Sequence, residues 1–574
     1  MDLFPKNGHF KEIEGIDEFE LSLLIQTFLM RITLAQLNFR IGDFDGNFSL
    51  MQNAIRKALE ENADLICFSE LATCGYPPRD FLEFKDFIKR SMDVVYKLCD
   101  LSEKIAIVVG APTVNPVLEG KDLYNSAFFL AEGKIQHIAH KALLPNYDIF
   151  DEYRYFEPST EFKLILFKDK KIALTICEDI WNLGNNNPMY KICPLDYVID
   201  QKPDFILNLS ASPFNFNQAE ERLHVIKSNV LQYKIPMFYV NNFGAQTDVL
   251  FDGGSVVMDP NGVCFDEMPY FEACIRTYEL DEVIKGGRSS EQAKVKVDLI
   301  YRALVMGIKE YFSKLGFSKA ILGLSGGIDS ALTAVLAADA LGSENVMGLL
   351  MPSGFSSQGS VADAKELAIN LGISYEIIPI ESTFETYKNN LKPWFEGTKE
   401  DVTEENIQAR IRGMILMAFS NKFKYILLNT TNKSEMAVGY GTLYGDLCGG
   451  LAVLADVYKT EVYQLAEYIN RESERIPINS IQKPPSAELR PGQKDSDSLP
   501  DYAILDPILF HYIENKKGPD EIIEMGFEKA IVLKALKLVN QSEFKRFQAP
   551  PVLRVSSKAF GQGRRLPIEG KYLC

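Results

Sequence analysis

Residues Gly323-Leu-Ser-Gly-Gly-Ile-Asp-Ser330 stand where an apolar strand, Lys319 to Leu324, turns into an Ala-rich helix, Ser330 to Leu341. Gly326 and Gly327 allow a tight turn and close backbone approach to a ligand, and the helix start offers unpaired N–H groups and the positive end of a dipole. Such a loop cradles phosphate. Ser325 and Ser330 add hydroxyl donors, Asp329 adds a carboxylate able to hold Mg2+ against phosphates, and Gly323, Leu324 and Ile328 complete the loop. No Gly-Lys-Ser/Thr follows, which excludes a Walker A loop. A second group lies upstream. Cys177 ends the strand Lys171 to Ile176, Glu70 follows another strand end in Phe68-Ser69-Glu70, and Lys141 opens the loop Lys141-Ala-Leu-Leu-Pro145. Singly these are a small apolar residue and two solvated charges. Together they are the parts of a nucleophilic acyl transfer, in which Glu70 takes the thiol proton, Lys141 stabilises thiolate and oxyanion, and Cys177 forms a thioester.

The elements that must position these groups follow from apolar periodicity. From 31 to about 280, β-rich runs at Asp64 to Phe68, Ile105 to Gly110, Ser126 to Leu130, Ile172 to Ile176, Phe205 to Leu209 and Met237 to Val240 alternate with helices such as Asn47 to Asn62, which predicts a layered α/β domain. Residues 281–297 lose the pattern and gain Gly-Gly, Ser-Ser and charge, and read as a linker. From 298 an amphipathic helix leads into the phosphate-loop strand. Further strands at Val346 to Met351, Tyr375 to Pro379 and Tyr425 to Asn429 predict a doubly wound parallel sheet with its ligand at the carboxyl ends of the strands. Residues 353–364 are a small-residue loop suited to closing over a nucleotide, and residues 482–501, rich in Pro, Ser and charge, read as a mobile loop.

The bulk numbers bound the partners. A chain of 574 residues needs two to four domains, and 46% apolar residues make it globular. Its net charge of −17 argues against nucleic acid or an anionic membrane as partner. Nine cysteines without a Cys-x-x-Cys pair, and five scattered histidines, point to the reducing cytoplasm and to no zinc site. The run at 21–37 is interrupted by Gln26, Arg31 and Gln36, so it is neither signal peptide nor membrane span. Residues 1–29 read as an N-terminal extension.

The Ser-Gly-Gly-x-Asp-Ser run resembles the pyrophosphate loop of the N-type ATP pyrophosphatases, which cleave ATP between its α- and β-phosphates. Glu70, Lys141 and Cys177, with their neighbours, resemble the nitrilase (carbon–nitrogen hydrolase) superfamily over roughly 31 to 280, implying an α-β-β-α sandwich. By that match Glu152 orients Lys141, Tyr147 lines the amide pocket, and Ser212, in Asn208-Leu-Ser-Ala-Ser-Pro-Phe-Asn215, binds the amino-acid end of glutamine. Gln218 stands where a basic residue often stands in that family, and would hydrogen-bond where a cation would pair. Glu405 to Arg412, Asn429 to Glu435 and Gly439 to Asp446 resemble the glutamine-dependent NAD synthetases, with Phe544-Lys545-Arg546 and Arg564-Arg565 beyond them.

That resemblance implies a Rossmann-like synthetase domain at 298–574 and a glutaminase domain at 30–280. Thr430, Lys459 and Ser486 would contact ATP, Glu435 would join Asp329 on Mg2+, and Asn406, Arg410, Glu435 and Lys545 would hold deamido-NAD+. The reaction implied is ATP-dependent amidation of deamido-NAD+ with ammonia from L-glutamine, carried between the sites by an internal channel. The resemblance also implies a homo-oligomer, with synthetase domains paired as dimers and an octamer as one larger assembly. Two other readings compete: an amidase whose C-terminal half binds ATP only as a regulator, and a non-catalytic scaffold.

Overall fold

The computed structural model describes residues 30–573 apart from Arg288, Ala487 and Pro491; the expected extension at 1–29 lies outside the described residues. The N-terminal half is a four-layer sandwich. One six-stranded sheet runs, in spatial order, Cys274–Glu279, Arg31–Gln36, Leu65–Cys67, Ala106–Val114, Leu123–Ala131, Lys134–His140. The other runs Cys264–Glu267, Val256–Met258, Met237–Val240, Phe205–Leu209, Lys170–Ile176, Ile165–Phe167. Strand side chains alternate between faces, and the apolar residues separate accordingly. Ile32, Leu34, Val108 and Phe129 meet Ile172, Phe205, Leu207 and Val257 between the sheets. Ala35, Ile66, Val109 and Phe128 face outward under the helices Phe44–Glu60 and Lys85–Leu101. On the far side Ile206, Tyr239 and Met258 pack on Ile226 and Val230 of the helix Gln218–Tyr233. Both faces of the central strands of each sheet are covered, which is why those strands read as nearly continuous apolar runs.

The C-terminal half has a five-stranded parallel sheet in the order Ser374–Ile377, Val346–Leu350, Ala320–Gly323, Ile426–Asn429, Leu451–Ala452. The helix Ile328–Leu341 that follows the central strand is apolar nearly all round and is buried from Ser330 to Ala338, as a helix enclosed on every side must be. Among the described residues no helix is long and apolar enough to cross a membrane.

The segment 281–297 differs from the linker expected of it. The helix Leu280–Lys285 opens it, Gln292 and Lys294 bond to Glu267 of a sandwich strand, and the next helix already starts at Lys296. Of its charges Lys294 pairs with Glu267, while Lys285 and Glu291 are exposed. The helix Lys296–Leu315 also belongs to both halves: its Ala303 and Leu304 share a core with Leu250 and Phe214 of the sandwich and with Leu332 and Val335 of the second domain. Lys314 donates to Asn38 Oδ1 at 2.9 Å and to the Ala245 carbonyl at 2.6 Å. Residues 482–501, expected to be mobile, make contacts with the domain where described, with Glu488 accepting from Ser357 and Ser360 and the Leu489 carbonyl accepting from Gln408.

Candidate active sites

The acyl-transfer residues meet at the carboxyl ends of strands from both sheets. Glu70 lies just past Leu65–Cys67, Lys141 directly follows Lys134–His140, and Cys177 directly follows Lys170–Ile176. Glu70 reaches its place because Gly110 has no side chain: a Cβ there would sit 2.3 Å from the Leu71 nitrogen. Cys177 takes φ +45°, a left-handed conformation that a non-glycine residue adopts at a cost and that turns its side chain sharply off the strand.

The Lys141 ammonium is wholly buried, 2.7 Å from Glu70 Oε1 and 2.8 Å from Glu152 Oε2. Burial works against its charge, but Glu152 and Glu70 outweigh that and push its pKa up. Glu152 also accepts from the Tyr76 hydroxyl at 2.7 Å. Burial, opposed by Lys141, lifts Glu152 to about 7, since one ammonium cannot neutralise two nearby carboxylates. Asn125 donates to Glu70 Oε1 at 2.7 Å and the Ala211 N–H donates to Oε2 at 3.1 Å. The Cys177 thiol is raised by burial and by Glu70, with Lys141 opposing, so it rests protonated between a base and a cation.

Around this cluster Tyr147 donates to Glu178 Oε1 at 3.1 Å and Tyr190 to the same oxygen at 2.8 Å. Ser212 is buried, its N–H donating to Asn241 Oδ1 at 2.9 Å. Gln218 is half-buried and accepts from Asn215 at 2.9 Å, so its amide is used within its own turn. Asn125, Glu178 and Asp179 were not singled out from the sequence, since an asparagine within a strand and a Glu-Asp pair beside a cysteine carry no spacing signal.

The phosphate loop opens on a cavity of about 320 Å³ lined by Ser325, Gly327, Asp329, Ser330, Thr430 and Ser486 among others. Gly323, Leu324 and Ile328 also line it, while Gly326 forms the turn behind, with φ +78° and a Cβ position 2.2 Å from the Ser360 carbonyl oxygen. Ser330 Oγ donates to the Gly327 carbonyl at 3.0 Å and the Gly327 N–H donates to Ser325 Oγ at 3.2 Å, which shapes the loop before any ligand arrives. Asp329 accepts from Asn432 at 2.9 Å and from Lys459 at 2.5 Å, and Lys459 stands 3.6 Å from Glu435. Burial and then Asp329 raise Glu435 to about 8. Two crowded carboxylates with one ammonium between them suit a cation. Among the described residues no group of three or more His, Cys, Asp or Glu could hold a metal, so remaining ligands would come from phosphate oxygens and water.

Asn406, Arg410 and Lys545 do not line this cavity. All three converge on the neighbouring loop 439–446: Asn406 accepts from Thr442 at 2.7 Å, Arg410 donates to the Leu443 carbonyl at 3.2 Å, and Lys545 donates to the Gly439 and Gly441 carbonyls at 2.7 and 2.8 Å. The other face of that loop, through Tyr440, Gly445 and Asp446, lines the cavity, which also takes in the unanticipated Arg412 and Lys483.

Comparison with known proteins agrees with this division. The chain matches the carbon-nitrogen hydrolase family over residues 31–288 and the NAD synthase family over residues 300–549. It is 44% identical to the glutamine-dependent NAD(+) synthetase of Synechocystis sp., covering 94% of this chain and 98% of that one. The chain belongs to the glutamine-dependent NAD(+) synthetases. The synthetase of the same name from Thermotoga maritima is 40% identical, over 95% of this chain and 99% of its own. A solved structure of the Acinetobacter baumannii glutamine-dependent NAD+ synthetase, in complex with adenosine diphosphate, is 37% identical with a TM-score of 0.74, over 94% and 98% of the two chains.

In this synthetase the two sites are joined by the C-terminal tail. Arg554 Nη2 lies 2.7 Å from Asp148, beside Tyr147, while Arg554 Nη1 donates to the Phe214 carbonyl at 3.2 Å. The next two residues bond to Asp456, whose carboxylate pairs with the buried Lys433 at 2.9 Å, two residues before Glu435. Gly326→Ala places a methyl group against the Ser360 carbonyl in a left-handed turn. ATP affinity, read by calorimetry, is expected to fall at least about tenfold, as loss of one or more loop contacts would produce.

Proposed function

We infer that this chain is a glutamine-hydrolysing NAD+ synthase. It amidates deamido-NAD+ to NAD+ at the expense of ATP, using ammonia from L-glutamine and releasing glutamate, AMP and pyrophosphate, the last step of NAD+ biosynthesis. The observation that carries the reading is the presence, on one chain of this family, of a buried Glu70–Lys141–Glu152 cluster beside Cys177 and of a phosphate loop facing Glu435 and Lys459. We assign glutamine hydrolysis to residues 30–280 and NAD+ formation to residues 298–574.

Hydrogen-bond accounting indicates how the thiol is activated. Glu70 Oε1 already takes Lys141 and Asn125, whereas Oε2 takes one N–H, so Oε2 keeps the free lone pair for the Cys177 proton. Attack on the glutamine carboxamide then gives a tetrahedral oxyanion that the Lys141 ammonium can stabilise without reorganising. Glu70 returns its proton to the leaving nitrogen, ammonia departs, and water cleaves the thioester with Glu70 again as base. Glu152 holds Lys141 in place and charged. Tyr147, Glu178 and Ser212 form the walls for the amino-acid end of glutamine, with Gln218 contributing a neutral hydrogen-bonding group.

In the second site the N–H groups and hydroxyls of Gly323 to Ser330 grip the pyrophosphate part of ATP, with Thr430, Lys459 and Ser486 around the nucleotide. Asp329 and Glu435 are the residues that would hold Mg2+, which when bound neutralises phosphate charge. Arg410 and Lys545, after releasing the carbonyls of the 439–446 loop, and Asn406, after releasing the Thr442 hydroxyl, hold deamido-NAD+, and Glu435 faces both substrates. The nicotinate carboxylate is adenylated, and ammonia displaces AMP. At neutral pH free ammonia is mostly protonated and non-nucleophilic, so an enclosed route between the domains favours transfer.

We place the enzyme in the cytoplasm, in keeping with the free state of all eight described cysteines. We also propose that synthetase domains pair. Trp394 and Met414, 75% and 65% exposed, lie on the helices Glu381–Phe395 and Val402–Phe423, large apolar groups of the kind that association covers. Light scattering at the mass of a single chain would sink this.

Cys177→Ala is expected to abolish glutamine-supported NAD+ formation while ammonia-supported formation persists; loss of both would refute the division of labour. Asp329→Asn is expected to cut AMP and pyrophosphate release by about two orders of magnitude and to leave thioester formation on Cys177 intact. A bulk ammonia scavenger is expected to leave glutamine-supported synthesis unchanged, and abolition by the scavenger would remove the enclosed route.

A further inference from the structure

The strand ahead of Lys141 and the strand ahead of Cys177 belong to different sheets, so nothing in either ladder fixes the distance between ammonium and thiol. One side chain spans them. Asp179, 3% exposed, accepts the N–H groups of Ala142 and Leu143 on Oδ1, each at 2.9 Å, and the N–H of Ile176 on Oδ2 at 3.0 Å. Ala142 follows Lys141 and Ile176 precedes Cys177, so the carboxylate grips the backbone immediately beside both reacting groups. Burial raises its pKa to about 6, with the three N–H donors and Lys141 opposing; at neutral pH it is ionised and free to accept on both oxygens.

We propose that Asp179 is a positioning residue of the glutaminase site, its carboxylate joining the lysine loop to the nucleophile's strand and thereby setting the separation of the Lys141 ammonium from the Cys177 thiol. Only a carboxylate meets the three donors. An asparagine of the same shape offers one acceptor oxygen and turns an NH2 group toward either the Ile176 N–H or the pair at 142 and 143. The left-handed backbone of Cys177 makes the grip more consequential, because the strained residue lies between Ile176 and Asp179 and relaxes if the Ile176 contact is lost.

The proposal rests on Cys177 being the glutaminase nucleophile, and that reading fails separately: Cys177→Ala retaining glutamine-supported turnover would end it whatever the Asp179 variants do. The experiment uses the full-length enzyme and compares wild type with Asp179→Asn and Asp179→Glu. Three quantities are read: glutamine-supported turnover with its KM, ammonia-supported turnover, and the rate of Cys177 alkylation by iodoacetamide. For Asp179→Asn, glutamine-supported kcat is expected to fall about a hundredfold with KM within about threefold, as displacement of reacting groups by about an ångström produces. Alkylation is expected to slow at least about tenfold as the thiolate loses Lys141, while ammonia-supported turnover stays within about twofold. Asp179→Glu, which keeps the charge but displaces it, is expected to lose glutamine-supported kcat and alkylation rate in the same direction, and decides the matter if the asparagine variant does not fold. Wild-type alkylation in a folded variant, or a parallel loss of ammonia-supported turnover, would assign Asp179 to general stability and overturn the proposal.

Discussion

The glutaminase half is organised around one ammonium. Lys141 is removed entirely from water, and an isolated buried charge costs several kcal/mol even after relaxation. It is stable only because Glu70 and Glu152 stand 2.7 and 2.8 Å away, and those two carboxylates must in turn be met by Asn125, the Ala211 N–H and Tyr76. The requirement spreads outward. Glu70 can approach only over Gly110, and Asn125 is set by the strand beside Gly110's own. A nucleophile with a raised pKa gains from this arrangement, because the cation that stabilises its thiolate is held in place before substrate binds.

The synthetase half solves a similar problem with opposite sign. Here carboxylates are crowded, and Lys459 is drawn between Asp329 and Glu435. The helix that bears Glu435 is anchored by a second buried lysine, Lys433, paired with Asp456 and Glu514 at 2.9 Å each. Removing one partner of such a network leaves a buried charge uncompensated. Charged groups in this half therefore fix where elements lie, and the nucleotide site inherits its geometry from them.

Much of this was legible in the residues. Strands buried on both faces stand out as apolar runs, so Phe205–Leu209 and Met237–Val240 were read to the residue, and the glycine pair at 326–327 marked the phosphate loop. The exposed strand Lys134–His140, with polar residues alternating along it, carried too little apolar signal to be found, and Phe243–Gln246 and Val249–Asp252, though largely buried, are only four residues each. Residues 281–297 misled for a related reason: Gly, Ser and charge mark a segment with no core of its own, yet Glu267 and the sandwich surface bind it down. Glu70, Lys141 and Cys177 were found by chemical type together with family likeness. Asp179 and Asn125 act through backbone donors and through another side chain, and such roles exist only once the sheets are folded together.

Why the two halves should be bound so closely follows from the tail. Residues 553–558 touch the wall of the amide pocket through Arg554, Lys558 and Asp148, and touch the support of Glu435 through Asp456. The Glu435 helix bears on the tail through Lys433, which pairs with Asp456 and donates to Ser556 and to the Lys558 carbonyl, and at the other end Asp148 lies next to Tyr147, which bonds Glu178. The same short segment thus has to satisfy both sites at once. An enzyme that releases a nucleophile in one domain and consumes it in another wastes glutamine whenever the first runs alone, and in this chain one short segment has its partners beside both sites.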